Sequence, residues 1–566
     1  MIKKLKKLIN SYNIDGYIVP KNDEYFSEYA YPNRLQEISN FSGSAGMAII
    51  LKTDNYLFVD GRYTLQSKIE SGKNFKIFEI PKTQPGDKLF NPNNRLKIGF
   101  DPKLFTKTAL ITQFKPYCDL LPININLIDI LSKKRKRSKS QPFYNLNKKN
   151  TGESIKSKIN KLVKIISKNK IDHIFISAPE NVAWLLNIRG YDNPNSPVPN
   201  CRVILSKDKK IYFFSDKRKI KKIKNNLKIK NIKYFENSDF FEVIKNLNGL
   251  NFSIDNKSCS IYFENLILSK FKIINHIDPC YFLKSIKNKV EIKNMENAHV
   301  EDGVALTKFL FWLKNKKNKN LDELSAEKKL ENFRKQRKNF LYPSFNTIAG
   351  SGPNGAIIHY RANKKTNRKI KLKDIFLFDS GGQYKYGTTD VTRTICFNKP
   401  SNFIKDAYTR VLKGHIAVVT ADLKKFNTGK KLDSKARYWL KKKNLDYGHG
   451  TGHGVGHFLN VHEGPQAISK YNNIKLQKGM ILSNEPGYYK ENKFGIRIEN
   501  LIYIKKLKNK LFFKNLTLAP IDNDMVNFNL LSENEKKYLI NYHKNIYDKI
   551  STFLNGDEKS WLRKLI

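Results

Sequence analysis

Cysteine is scarce in this sequence, and long apolar runs are missing. The 566 residues include five cysteines, an odd number without the close spacings of metal-binding or redox pairs: Cys118, Cys201, Cys259, Cys280 and Cys396. This excludes a disulfide scaffold and a cysteine-based zinc site, and it predicts a reducing, cytoplasmic compartment. No run of about 18 apolar residues is present to span a membrane. The basic residues 1–12 are followed by no sustained apolar run, so we expect no signal peptide.

Acidic residues are also few, at 51 against 105 lysines and arginines, which gives a formal net charge of +54. Such a charge ordinarily suggests nucleic-acid binding, and residues 133–139 look like a localisation or RNA-binding tract. The lysines, however, are spread along the whole chain rather than gathered with stacking aromatics in one motif. We favour a compositional bias that produces a solvated surface, and we expect at most non-specific, salt-dependent binding to nucleic acid.

The chain is long for one hydrophobic core, and it predicts three domains. A basic, proline-containing stretch predicts a linker over roughly residues 132–150, and residues 151–154 look like helix-capping residues ahead of Ile155. A second boundary falls near residues 284–291, where a long helical pattern from Val290 to Leu313 begins. The predicted domains are residues 1–131, 151–288 and 289–566. The first two alternate strand-like runs with basic helical runs, which is an α/β pattern.

Two aspartates follow or interrupt apolar β-type runs in the third domain. Asp379 ends the apolar run 375–378, which predicts a buried strand. Asp390 lies in the run 387–394, where β-branched residues alternate with a period of two. The short connection through residues 385–387 allows the two runs to pair as antiparallel strands, which would place both aspartates near the same end of one sheet.

A glycine-rich run over residues 447–457 carries His449 and His453. Glycine at every second position disfavours a helix and allows close backbone approach, so we expect a strand or loop. Two further β-type runs each have a glutamate near their end, Glu485 and Glu499. The dipeptide Pro486-Gly487 predicts a turn between these runs, so that they form a second hairpin.

Five residues therefore form a candidate metal site: Asp379, Asp390, His453, Glu485 and Glu499. Each alone has an ordinary explanation, since an aspartate after a strand is usually a turn former. Together they cluster within about 120 residues at strand ends, with no other evident reason for buried charge. Four carboxylates and one imidazole suit two hard divalent ions that share bridging carboxylates. The pattern predicts a dinuclear metallohydrolase.

The sequence closely resembles the Xaa-Pro aminopeptidase (aminopeptidase P) family, whose fold is called pita-bread. The resemblance is carried in the last third by residues 377–381, 387–394, 449–456, 460–465, 484–489 and 495–500, and earlier by residues 41–46, 60–63, 183–190 and 350–360. It implies the long, three-domain form of the family, with an α/β and α+β architecture: two creatinase-like N-terminal α/β domains and a pita-bread catalytic domain. It also implies a homodimer.

The resemblance implies a role for each candidate residue. Asp379 would bind one ion, His453 and Glu485 the other, and Asp390 and Glu499 would bridge them. Mn²⁺ is the first choice, with Zn²⁺ or Co²⁺ also suitable. The family uses three further histidine positions around its peptide substrate, which correspond here to His359, His449 and His462, and Arg497 would hold carboxylates in place. Glu485 would also shuttle a proton to the leaving amine.

Three functions remain open at this stage. The first is release of an N-terminal residue before proline, and the second is a prolidase that shares the ligands but cleaves only Xaa-Pro dipeptides. The long, three-domain layout favours the aminopeptidase. The third is a non-catalytic pita-bread module that binds protein or nucleic acid, which the presence of all five ligands disfavours.

Overall fold

The computed structural model describes residues 1–29, 31–90, 92–132, 141–226, 231–315 and 321–566, with the side chains of residues 225 and 226 left out. The chain divides into two compact units, one of residues 1–148 and 153–281 and the other of residues 149–152 and 282–566. The basic tract 133–139, and most of the predicted linker's first half, lie outside the described residues. No helix in the described ranges is long and apolar enough to cross a membrane.

The first unit begins with a mixed six-stranded sheet in the order β4-β3-β2-β1-β5-β6. Its strands are β1 (Gly16–Pro20), β2 (Met47–Leu51), β3 (Asn55–Asp60), β4 (Lys76–Ile80), β5 (Lys97–Phe100) and β6 (Asp119–Pro122). Its helices are α1 (Ile2–Ser11), α2 (Arg34–Ser39), α3 (Thr64–Ser71), α4 (Lys107–Phe114) and α5 (Leu127–Leu131). Apolar clusters bury residues such as Tyr17 and Ile50 in one group and Ile18 and Phe58 in another.

A second six-stranded sheet of the same unit has the order β12-β11-β10-β8-β13-β14. The strands of this segment are β7 (Tyr144–Asn145), β8 (His173–Ile176), β9 (Ile188–Arg189), β10 (Arg202–Ser206), β11 (Ile211–Phe214), β12 (Ile232–Phe235), β13 (Asn251–Ile254) and β14 (Lys272–Asn275). The helices are α6 (Lys148–Thr151), α7 (Ile155–Lys168), α8 (Pro179–Leu185), α9 (Lys217–Asn226), α10 (Phe240–Asn246), α11 (Ile261–Leu268) and α12 (Pro279–Ser285). Ser154 caps α7 by accepting a hydrogen bond from the Ser157 amide, as the sequence predicts.

The second unit combines long helices with short antiparallel strands. The helices are α13 (Lys289–Asn315), α14 (Glu323–Lys335), α15 (Asn402–Val419), α16 (Gly429–Lys441), α17 (Glu533–Ile550) and α18 (Gly556–Arg563). The strands are β15 (Phe340–Pro343), β16 (Ile348–Ser351), β17 (Ile375–Ser380), β18 (Gly382–Tyr384), β19 (Gly387–Thr388), β20 (Val391–Cys396), β21 (Gly452–Gly454), β22 (Glu463–Ile468), β23 (Ile481–Asn484), β24 (Gly487–Lys490), β25 (Phe494–Arg497), β26 (Asn500–Leu507) and β27 (Lys510–Asn515). Short 3₁₀ helices lie in the first unit at Pro85–Lys88 and Asn237–Asp239. In the second unit they lie at Gly352–Ala356, Asn523–Met525, Phe528–Leu530 and Ser551–Phe553.

The sequence pattern explains the elements that frame the site. Helix α13 confirms the predicted long helix and buries an apolar face that includes Leu306, Phe309 and Leu313. Strands β17 and β20 pair antiparallel, as predicted, with Asp379 opposite Thr392. The apolar residues of these two strands pack into the same cores as α13 and α15. The α/β organisation of the leading domains and the α+β character of the last are therefore confirmed.

The predicted turn at Pro486-Gly487 is wrong. Strand β23 pairs with β26, and β24 pairs with β25, so the hairpin turn lies at residues 491–493, where Asn492 has a φ of 56°. Pro486 has no amide hydrogen to donate to a strand partner, and it separates β23 from β24. The dipeptide therefore marks a change of sheet within one extended path, and the two glutamate-bearing runs still pair.

Candidate metal centre and active site

Two aspartates lie near the same end of the sheet β16-β17-β20, where β17 ends and β20 begins. Asp379 lies in β17 opposite Thr392, and Asp390 immediately precedes β20. Residues 390 and 392 are two apart, so the aspartates are diagonal neighbours on one face. Both are buried, at 8% and 4% exposure. Asp379 Oδ2 accepts a hydrogen bond from Arg497 Nη2 at 2.7 Å, while its buried Oδ1 has no partner among the described residues. Oδ1 is therefore available to a cation.

The glycine-rich run forms the short strand β21, and this confirms the predicted absence of a helix. A Cβ on Gly452 would lie 2.0 Å from the carbonyl oxygen of Ser483, so only glycine fits there. His453 Nδ1 lies 2.8 Å from the Gly454 carbonyl oxygen, which can only accept, so Nδ1 carries the proton. His453 Nε2 then faces the carboxylates of Asp390 and Glu485 at 3.4 and 3.5 Å. This tautomer presents Nε2 as a metal-binding nitrogen.

The two glutamates lie at the paired ends of β23 and β26. Asn484 is opposite Asn500 in this pair of strands. Glu485 directly follows β23 and Glu499 directly precedes β26, so the two glutamates come together at the same end of the pair. The Glu499 amide donates to the Thr392 carbonyl oxygen at 3.1 Å, which joins this edge to that of β20. Two sheets therefore bring four carboxylates and one imidazole to a common point.

The electrostatics of this cluster are those of crowded, buried acids. Burial raises the pKa of Asp390 to about 6, with Asp379 and Glu485 adding to the effect and a hydrogen bond from His453 opposing it. Burial and the charges of Asp390, Glu485 and Asp379 raise the pKa of Glu499 well above its usual range. Burial alone would lower the pKa of His453, but its contacts with Asp390 and Glu485 raise it to about 9. Such a group of acids is stabilised by added positive charge.

The donor set fits divalent metal ions. Ligand atoms of Asp390, His453 and Glu499 lie within 4.8 Å of one another. Carboxylate oxygens with one imidazole nitrogen suit hard or borderline divalent cations. The structure therefore brings all five predicted ligands together, and their individual roles as ligands stay a prediction.

Arg497 is linked by hydrogen bonds to two of the acids. Its Nη2 donates to Asp379, its Nη1 donates to the Tyr489 hydroxyl at 2.6 Å, and its Nε donates to Thr392 Oγ1 at 3.1 Å. The Thr392 hydroxyl in turn donates to Glu499 Oε2 at 2.8 Å. Arg497 thus holds one carboxylate directly and a second through a hydroxyl.

The sequence interpretation gave no role to Thr392 or Tyr489. A signal for Tyr489 was available, because the period of two along β24 places it on the same face as Gly487, the residue paired with Arg497. Thr392 lies two residues from Asp390 and so shares its face of β20. Its contact with Glu499 spans 107 residues, and such a contact has no local signature.

The predicted substrate-binding histidines also lie near this cluster. The His462 ring packs edge-on against His453, with centroids 4.3 Å apart. His449 Nδ1 lies 2.7 Å from the Gly450 carbonyl oxygen, so its Nε2 accepts a hydrogen bond from the Tyr489 hydroxyl at 2.9 Å. His359 follows Ile358, whose carbonyl oxygen accepts from Arg497 Nη2 at 3.4 Å. The structure therefore places His462 against a candidate ligand and His449 against a residue that Arg497 contacts, while His359 is the neighbour in sequence of Ile358.

A buried cluster of charged side chains forms around Glu463, the residue that follows His462. The carboxylate of the next residue, Glu463, pairs with Lys284 at 3.4 Å and hydrogen-bonds to Lys287. All three side chains are at most 2% exposed. This cluster ties the start of β22 to the segment that leads into α13.

Another acidic group is not a comparable metal site. Cys396, Asp522 and Asp524 also converge, but the ammonium of Lys314 lies 2.7 and 2.9 Å from the two carboxylates. A lysine therefore supplies the positive charge at this position.

Comparisons with known proteins match the whole chain. Residues 293–506 match the metallopeptidase family M24, residues 509–565 match the C-terminal region of peptidase M24, and residues 1–120 and 134–291 match creatinase/prolidase N-terminal domains. A probable Xaa-Pro aminopeptidase P of Laccaria bicolor is 37% identical, covering 100% of this chain and 92% of that protein.

Solved structures extend the comparison. An X-prolyl aminopeptidase from Caenorhabditis elegans, described as a cytosolic enzyme with a di-nuclear active site, superposes with a TM-score of 0.93 at 30% identity, covering 100% of this chain and 98% of that one. The prolidase from Pyrococcus furiosus gives a TM-score of 0.52 at 27% identity and covers 63% of this chain and 98% of that one.

Proposed function

This chain belongs to the metallopeptidase family M24, and we propose that it is an Xaa-Pro aminopeptidase, which releases the N-terminal residue from peptides with proline in the second position. The observation that carries the chemistry is the convergence of the buried Asp390 and Glu499 with the half-buried His453, whose ligand atoms lie within 4.8 Å of one another. The observation that favours the aminopeptidase over a prolidase is the match over the whole chain to proteins described as Xaa-Pro or X-prolyl aminopeptidases. A long-form X-prolyl aminopeptidase covers all of this chain, whereas a prolidase covers 63% of it.

We assign the cluster two divalent cations, with Mn²⁺ as first choice because carboxylate oxygens dominate the donor set. Asp379 would bind one ion, His453 and Glu485 the other, and Asp390 and Glu499 would bridge them. Such ions supply activation of water and stabilisation of negative charge on a carbonyl oxygen. The raised pKa values of Asp390 and Glu499 support this assignment, because crowded buried acids are stabilised by added positive charge.

Side chains around the cluster would transfer a proton to the leaving group and contact the substrate. The leaving nitrogen of an Xaa-Pro bond belongs to a tertiary amide without a hydrogen, so it must receive a proton as the bond breaks. We assign this transfer to Glu485, and the hydrogen bond from the Ser483 hydroxyl to its Oε1 at 3.0 Å supports the assignment by holding the carboxylate in one orientation. His462, whose ring packs edge-on against His453, would contact the scissile carbonyl group. His359 and His449 would shape the pocket, and Arg497 would orient the acids.

The remaining assignments concern organisation. We propose three domains, residues 1–131, 151–288 and 289–566, because each of the first two ranges holds one six-stranded sheet and the third holds the metal cluster. We also propose a homodimer in the cytoplasm. The five cysteines are buried and none of them forms a disulfide, which is compatible with a reducing compartment.

The decisive test is substrate length. Metal-stripped protein would be reloaded with Mn²⁺, Zn²⁺ or Co²⁺ singly and offered Arg-Pro-Pro, an Xaa-Pro dipeptide and Arg-Ala-Pro. We expect Mn²⁺ to restore release of arginine from Arg-Pro-Pro, with little cleavage of Arg-Ala-Pro. Cleavage of the dipeptide alone would instead identify a prolidase. No hydrolysis of any peptide with any of the three metals would favour a non-catalytic binding module.

A further inference from the structure

The segment that carries His449 has little regular structure of its own. Residues 445–451 lie between α16 and β21, outside helices and strands. Gly448 and Gly450 flank His449, and glycine loses more conformational freedom on folding than any other residue. A histidine in such a segment keeps a fixed position only if other side chains hold the backbone around it.

Arg437, in α16, makes contacts of this kind. Its Nη1 donates to Asp446 Oδ1 at 2.7 Å and to the Tyr447 carbonyl oxygen at 2.8 Å, and its Nη2 donates to the His449 carbonyl oxygen at 2.5 Å. Its Nε donates to Asp433 Oδ2 at 2.9 Å, one helical turn away. The side chain is 11% exposed. One guanidinium therefore fixes three residues of the segment to α16.

A second set of contacts closes the same arrangement. The Arg437 guanidinium lies 3.9 Å from the centre of the Tyr447 ring. The Tyr447 hydroxyl hydrogen-bonds to Thr451 Oγ1 at 2.5 Å, and Thr451 donates to Asp433 Oδ1 at 2.7 Å. The rings of Tyr447 and His449 are 4.9 Å apart, in contact. Both the backbone and the ring of His449 thus depend on groups that Arg437 holds.

We propose that Arg437 is a positioning residue that sets the place of His449 in the substrate pocket, an inference that rests on the peptidase function proposed above. The planar guanidinium reaches several acceptors in different directions, whereas a lysine offers one nitrogen and cannot hold the segment in the same way. Arg437→Lys keeps the charge and most of the volume, and it removes this geometry.

Arg410 provides a matched control on the neighbouring helix α15. It also pairs with an aspartate one turn away, since its Nε donates to Asp406 at 2.7 Å, and it donates to a backbone carbonyl, that of Trp439, at 3.1 Å. Its side chain is 12% exposed. None of these contacts reaches residues 445–451. Arg410→Lys should therefore disturb stability to a similar degree and leave His449 in place.

The experiment compares Arg437→Lys, Arg410→Lys, His449→Ala and the double variant Arg437→Lys/His449→Ala, all loaded with Mn²⁺, on Arg-Pro-Pro. We expect Arg437→Lys to lower kcat/KM by roughly 10- to 100-fold, as for the loss of one or two charge-assisted hydrogen bonds. The division of that loss between kcat and KM should match that of His449→Ala. Arg410→Lys should stay within about 3-fold of the wild type. In the double variant the arginine change should add little, because its effect passes through His449.

Hydrogen exchange of the metal-stripped proteins gives a readout independent of activity. Arg437→Lys should speed amide exchange in a peptide covering residues 446–454, and Arg410→Lys should not. The inference is overturned if the two lysine variants behave alike, or if Arg437→Lys keeps its full effect in the His449→Ala background. A wild-type protein inert on Arg-Pro-Pro would refute the peptidase function instead, and the exchange comparison would still decide whether Arg437 fixes the segment.

Discussion

Replacing Glu499 with glutamine should change stability in opposite directions with and without metal. Glu499 is 1% exposed, and burial together with three neighbouring acids raises its pKa well above the usual range. In metal-stripped protein near neutral pH, glutamine removes an acid that the fold holds unfavourably. The Thr392 hydroxyl, which donates to Glu499 Oε2 at 2.8 Å, can still donate to the amide oxygen. We therefore expect the stripped variant to be as stable as the wild type or more stable.

With metal bound, the wild type should instead be more stable than Glu499→Gln. A ligand present at a hundred times its dissociation constant stabilises the folded state by about 2.7 kcal/mol. For a domain of the size of the catalytic unit this corresponds to a rise in Tm of roughly 5 °C. The wild type should show this rise on addition of Mn²⁺. Glu499→Gln should not, because glutamine offers a single neutral oxygen in place of the carboxylate that we propose to bridge the two ions.

Calorimetry of stripped and Mn²⁺-loaded proteins, with metal content measured by mass spectrometry, checks both halves of this prediction. Glu491→Gln is a suitable control, since Glu491 is exposed in the turn after β24 and should leave both Tm values unchanged. Two ions per chain and a full metal-dependent rise in Tm in Glu499→Gln would refute the bridging role.

Three further outcomes follow from the same geometry. His462→Ala should retain both ions and lose roughly 100-fold in kcat/KM, which metal analysis beside peptide kinetics would check. Glu463→Gln removes the carboxylate that both buried ammonium groups contact and should lower the free energy of unfolding by about 3–5 kcal/mol; recovery of part of this loss in Glu463→Gln/Lys287→Met would confirm the cause, and no loss in a urea titration would contradict it. The third outcome concerns pH: metal-stripped wild type should lose stability relative to Asp390→Asn as the pH rises from about 4 to above 6. The reason is that the pKa of Asp390 is raised from 3.8 to about 6 in the folded chain, which therefore binds this proton more tightly than the unfolded chain does. Parallel curves of Tm against pH for the two proteins would count against this.

The pairing of the ligand-bearing runs could be predicted because it follows from local pattern. A period of two in residues 387–394 favours a strand, and glycine at alternate positions around His453 disfavours a helix. The aspartates and glutamates come at strand ends, so antiparallel pairing alone brings each pair together. The position of the second hairpin turn was wrong for a local reason too, since Pro486-Gly487 forms turns readily but here joins strands of two different sheets.

The supporting contacts could not be predicted, because they join distant parts of the chain. Arg497 reaches Asp379 across 118 residues and Thr392 across 105. Arg437 is only 12 residues from His449 in sequence, yet its role depends on the path of a glycine-rich segment that lies outside helices and strands. Sequence pattern specifies which faces are buried, whereas the choice of hydrogen-bond partners emerges only when the sheets are assembled.

The acids of the site and the lysines of the surface act over different distances. Exposed charges are screened beyond about 8 Å at physiological ionic strength, so a net charge of +54 has little effect on a buried group. Inside the protein, the screening is weaker and the carboxylates interact strongly at short range. A fold selected for stability alone would not place Asp390 and Glu499 where burial raises their pKa values. We expect bound cations to stabilise both acids at this position, where Thr392 donates to Glu499 and Arg497 donates to the neighbouring Asp379.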